Sequence, residues 1–155
     1  MNPKTQNQIT TWLISALLLI FLMVIIGGVT RLTRSGLSMV EWHPISGVFP
    51  PLTDNAWQEE FEKYQQFPEY QKLNQGMTLS QFKFIFFWEY VHRLIGRLLG
   101  VLFIIPFTWF LVRKKLNPPL IKKLLVMFLL GGLQGLYGWY MVKSGLIDNP
   151  HVSHY

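Results

Sequence analysis

The chain has no cysteine, which excludes disulfides, zinc–thiolate sites, iron–sulfur clusters and thiol catalysis. Charge is also scarce: 14% of the 155 residues are charged, half are hydrophobic, and Phe and Trp number 12 and 6. So little charge beside so much apolar surface excludes a disordered or highly solvated chain and fits a membrane class. Acids are outnumbered, 8 against 14 basic residues, for a net charge of +6. The basic residues bracket apolar runs and form no separate basic face, so no nucleic-acid partner is expected and the charge reads as membrane topology. Low-complexity tracts and short solenoid repeats are missing as well.

Three apolar segments stand out. Trp12 to Val29 is uncharged and as a helix reaches about 27 Å at ~1.5 Å per residue, enough to span. A signal peptide is the other reading of this segment. However, no small-x-small cleavage site follows it, and Gly27-Gly28 leads into Thr30-Arg31 instead. Leu124 to Val142 is likewise uncharged and long enough. The middle run, Leu98 to Val112, reaches only about 22 Å against the ~30 Å of the hydrocarbon core, so its helix must extend back through Arg97, Arg93 and His92. Pro106 within it predicts a kink. The expected spans are residues 12–29, 85–112 and 124–142, making an all-α membrane protein with membrane lipid as its solvent.

Arg113, Lys114, Lys115, Lys122 and Lys123 crowd the connection around Asn117-Pro118-Pro119, which predicts a cytoplasmic loop and hence a cytoplasmic amino terminus. The segment 31–81 then faces outward and carries most of the acids (Glu41, Asp54, Glu59, Glu60, Glu62 and Glu69). It is too long for a bare connector. A surface helix over Ala56 to Tyr70 is expected, with Asp54 as N-cap and Pro68 as its end. Trp42, Trp57 and Trp88 fit an aromatic belt.

The chemistry concentrates in Glu89-Tyr90-Val91-His92-Arg93, at the outer end of the second span, where ionisable groups are expensive and mark a site. On a helix Glu89, His92, Arg93, Gly96, Arg97 and Gly100 share one face. His92 could offer its imidazole to a haem iron, with Gly96 and Gly100 leaving bare surface for a flat macrocycle. Arg93 and Arg97 could pair with haem propionates, and Glu89 could accept a proton, act as the catalytic acid or serve as a partner of the ligand. The same face also reads as a Glu89–Arg93 ion pair, snorkelling arginines and a Gly96-x-x-x-Gly100 packing motif. Gly131, Gly135 and Gly138, with Gln134, make a smooth stripe on the third span, suited to helix packing or a cofactor wall. His43, His151 and His154 read as interfacial bystanders.

Several blocks of sequence resemble the haem A synthase family in its proteobacterial and mitochondrial form. They run from Gly27-Gly28-Val29-Thr30-Arg31-Leu32-Thr33 into Ser35-Gly36-Leu37-Ser38-Met39-Val40-Glu41-Trp42, then Gly47-Val48-Phe49-Pro50-Pro51-Leu52. Phe82-Lys83-Phe84-Ile85, Trp88 through Arg97, and Gln134-Gly135 with Gly138 through Leu146 complete the set. The resemblance implies oxidation of a methyl group of haem O to the formyl group of haem A, which goes to cytochrome oxidase. Its setting would be the bacterial inner membrane, with haem O synthase and oxidase assembly as possible partners. Family members have two similar four-helix halves, each with paired inward histidines. His92 matches the first histidine of the amino-terminal half and Glu89 the acid regarded as catalytic, while haem b is expected in the second half. The three spans here would form an incomplete four-helix haem-binding half-bundle. The family pattern continues past Tyr155, which implies a fragment, a truncated reading frame or one piece of a split protein, inactive alone. A non-catalytic haem-binding membrane subunit or oxidase assembly factor is the alternative.

Overall fold

The computed structural model describes residues 2–41 and 48–147, which leaves Trp42, His43, His151 and His154 outside the described residues. The described residues form five helices and no strand: α1 Pro3–Leu32, α2 Asp54–Gln65, α3 Pro68–Leu73, α4 Leu79–Val112 and α5 Pro118–Ile147. α1, α4 and α5 are each long and apolar enough to cross a membrane. Leu17, Leu18, Phe21 and Val24 on α1 and Leu129 and Leu130 on α5 are exposed. Such continuous apolar surface suits hydrocarbon rather than water, and a helix satisfies its own backbone there. The chain is an all-α membrane protein.

All three long helices outrun their uncharged segments, because polar caps set their ends. Thr78 and Gln81 form a capping box at the start of α4: Thr78 N donates to Gln81 Oε1 at 2.9 Å, and Gln81 N to Thr78 Oγ1 at 3.4 Å. Asn117 Oδ1 accepts from Leu120 N at 3.0 Å, so Pro118 opens α5 at its first turn instead of lying in a loop. α1 and α4 close alike. Ser35 N donates to Thr30 O and Lys115 N to Phe110 O, each at 2.9 Å, with Arg34 and Lys114 in the left-handed region at φ 51°. This is the Schellman closure with a basic residue where glycine is usual.

The surface helix differs from the expected one. Thr53 Oγ1 caps α2 by accepting from Ala56 N at 3.2 Å, and Asp54 occupies the first turn, where its carboxylate meets the helix dipole and lies 3.6 Å from Lys83 Nζ. Pro68 does not end this helix. It begins α3, because proline suits a first turn and forces the preceding Phe67 into extended backbone.

The chain divides into two units. One contains α1 up to Ile25 with Ile95–Leu136. Its core is Ile9, Trp12, Phe110, Leu116 and Leu124, with Trp12 5.6 Å from the rings of both Phe103 and Phe110. α4 continues through Pro106. The other unit contains Ile26–Leu94 and α5 from Tyr137. There Phe61 and Tyr64 of α2 pack onto Phe82, Ile85 and Phe86 at the start of α4, and Tyr70 of α3 packs against this cluster.

Candidate functional site

Glu89 is 2% exposed, and each of its oxygens is engaged. Oε1 pairs with Arg93 one turn along α4. Oε2 accepts from Ser38 Oγ at 2.6 Å and from Met39 N at 2.8 Å. The strap that carries these donors follows the closure of α1. Arg34 in the left-handed region turns the chain, and the buried Ser35 and Ser38 fold it back against α4. Arg93 fastens the strap from the other side, with Nη2 donating to Met39 O at 3.0 Å.

Ser38 has one hydroxyl proton and two acceptors in reach, Glu89 Oε2 and Ser35 O at 3.0 Å. With Glu89 ionised, the hydroxyl donates to the carboxylate. A proton on Glu89 lets Ser38 accept instead and turn its own proton to Ser35 O. The site can therefore hold a proton on Glu89 in either state without an orphaned buried group.

His92 lies one turn inward of Glu89, half-buried, and its imidazole makes no hydrogen bond among the described residues. Its ring lies beside α1: a Cβ built on Gly27 would stand 3.1 Å from Nε2 and 3.5 Å from Cδ2. Thr30, one turn further along α1, donates through Oγ1 to Ile26 O at 2.8 Å and reaches Trp88 O at 3.3 Å. Glu89, His92 and Arg93 all belong to the second unit, whereas Gly96 and Arg97 belong to the first. Gly96 is covered there by the methyl of Met23, 3.3 Å from where a Cβ would be, and Arg97 is half-buried. Gly100 faces open space.

Sequence reasoning missed Ser38 and Met39 as partners of Glu89. The only signal was the Ser35-Gly36-Leu37-Ser38-Met39 block, whose contacts lie 51 and 50 residues away in sequence. It also counted Glu69 as an ordinary outer acid. Glu69 is 4% exposed and accepts from Tyr64 Oη at 3.1 Å, while Asn74 Nδ2 donates to Tyr64 Oη at 2.7 Å. Burial pushes the Glu69 carboxyl up to about 7; Glu89 adds to the shift, while Tyr64 and Arg34 oppose it. Burial also pushes the Tyr64 phenol up. No group of three or more potential metal-ligating side chains occurs among the described residues.

Three apolar spans, one of them carrying a buried acid and a histidine that makes no hydrogen bond among the described residues, define a membrane protein with a candidate site at the end of a span. Residues 10–155 match the profile of the COX15-CtaA family, described as cytochrome oxidase assembly protein, and the chain belongs to that family. It is 54% identical over 154 residues to a protein of Flavobacterium psychrophilum named heme A synthase, covering 98% of this chain and 45% of that one. Its identity to the heme A synthase of Nitrosospira multiformis is 59% over 150 residues, covering 97% and 42%. For that of Rickettsia bellii it is 48% over 150 residues, covering 97% and 45%. The chain thus spans under half the length of these curated relatives. No solved structure matches it.

Proposed function

We propose that these residues form the haem-binding amino-terminal part of a haem A synthase, which oxidises a methyl group of haem O to the formyl group of haem A for cytochrome oxidase. The observation that carries this reading is the contrast one turn apart on α4: Glu89 fully engaged and buried, His92 without a hydrogen bond among the described residues. An imidazole left uncommitted beside a bare glycine fits a haem iron in donor chemistry. His92 would hold the iron. When bound, haem O supplies both the methyl group to be oxidised and the iron.

The chain's own residues then have distinct roles. Glu89 takes and returns a proton at Oε2, and the Ser38 hydroxyl turns to match. Arg93 holds Glu89 and the strap in place, and its charge near the outer end of α4 favours carboxylates such as the haem propionates. Arg97 has the same propionate-pairing role further along α4. The basic connection from Arg113 to Lys123 supports a cytoplasmic amino terminus in the bacterial inner membrane. The family's description supports a role in oxidase assembly, and haem O synthase is the partner that a haem O substrate would call for.

Glu89→Gln in the full-length protein tests the division of labour, since the amide keeps the size and one acceptor but cannot take up a proton as a carboxylate. The variant is expected to retain haem and lose haem A formation by about 100-fold or more. Loss of haem itself would make Glu89 a structural residue and overturn its role.

A further inference from the structure

Inside the membrane-crossing helix α1 stands a glycine pair, Gly27-Gly28. The two differ in surroundings. A Cβ on Gly28 would meet nothing within 4 Å, whereas one on Gly27 would stand 3.1 Å from His92 Nε2, tighter than most real side-chain contacts. Among the described residues, the backbone of α1 aside, the only other atom within 4 Å of the Gly27 position is Cδ2 of the same ring, at 3.5 Å. Gly27 therefore does not serve general close packing of backbones. Its missing side chain makes room for one edge of one imidazole.

Beside it Thr30 Oγ1 donates its one proton to Ile26 O at 2.8 Å within α1 and stands 3.3 Å from Trp88 O on α4, the carbonyl one turn before His92. A methyl group at 27 would press on this ring, whose side-chain torsions yield more readily than the helix backbones on either side. We propose that Gly27 is a positioning residue for His92: it fixes how far the imidazole can lean toward α1 and hence the plane it presents to a haem iron. The proposal rests on His92 being the ligand. Functional groups must be held within about 0.5 Å and 10–20° of their working geometry. A Cβ at 27 displaces the ring by a few tenths of an ångström, and larger side chains displace it further.

The test is a size series, Gly27→Ala and Gly27→Val, against Gly28→Ala and Gly28→Val as controls in the same helix. Two readouts are needed: the absorption and electron paramagnetic resonance spectra of the haem-loaded protein, and, without haem, the rate at which diethyl pyrocarbonate modifies His92, followed by peptide mass analysis. The Gly27 variants are expected to shift the spectra in order of size, with Val losing haem, and to change the His92 modification rate by roughly threefold or more as the ring leaves α1. Both Gly28 variants are expected to match the parent. If Gly27→Val fails to accumulate in the membrane, Gly27→Val/His92→Ala should restore it, because the methyl groups then occupy the space of the lost ring. Unchanged spectra and modification rates in Gly27→Val, or equal effects at Gly28, would overturn the inference, as would failure of the double variant to restore accumulation. If His92→Ala keeps its haem, the ligand assignment fails instead, and the haem-free modification rates still report whether Gly27 sets the ring.

Discussion

The indole N–H of Trp12 donates to Leu102 O at 2.8 Å, and Leu102 is the residue whose carbonyl Pro106 leaves without a helical donor. Proline lacks the N–H that would close this turn of α4, and in hydrocarbon no water can take its place. Trp12, buried at 6% exposure on α1, supplies the missing donor and packs on Phe103 and Phe110.

Trp12→Phe keeps an aromatic ring but removes the donor, and is expected to destabilise by about 1–3 kcal/mol, as for other buried groups left unpaired. In a Pro106→Ala background the backbone restores the donor, so the penalty should shrink. A double-mutant cycle on thermal unfolding in bicelles checks this; an unchanged penalty would mean that ring packing alone accounts for Trp12.

Glu69 makes stability depend on pH. Burial raises its carboxyl from 4.5 to about 7, so the folded protein holds this proton more tightly than the unfolded chain does. Its contribution is complete below about 4.5 and is lost as pH rises through about 7, a change on the order of 3 kcal/mol. Tyr64, Glu89 and Arg34 are the charged or titratable groups acting on it. Glu69→Gln should flatten the fall in melting temperature between pH 5 and 8 and be the more stable protein at the upper end. An equal fall in the variant would assign the pH dependence to another group.

The absence of cysteine makes topology easy to map. A cysteine at Asn117, exposed between α4 and α5, should react with an impermeant maleimide only after the inner face is opened. One at Gln71, exposed on α3, should react in intact cells. The reverse pattern would invert the orientation inferred from the basic loop.

Hydropathy made the three long helices legible, because each apolar run can be satisfied only as a helix in lipid. Their ends were less legible. Thr78 with Gln81, and Asn117 with Pro118, are recognisable cap signals, yet they lie beyond the apolar runs and compete with loop readings of the same residues. Thr53 and Asp54 are both competent N-caps, and sequence alone does not choose between adjacent ones. Within the site, the shared face of Glu89, His92 and Arg93 follows from helical spacing. The closing of Ser38 and Met39 over Glu89, and of Gly27 beside His92, depends on contacts between distant parts of the chain. Local pattern carries no record of these. Gly96 illustrates the difference: spacing suggested a bare surface for a macrocycle, and in the fold Met23 covers it.

That His92 holds haem iron is tested most directly by the haem content of purified full-length His92→Ala, measured by pyridine haemochrome. Membrane insertion should be normal, because no span is lost, with haem retention weakened by at least about 100-fold and no haem A formed. A variant that inserts normally and keeps parental haem and haem A levels would contradict the assignment.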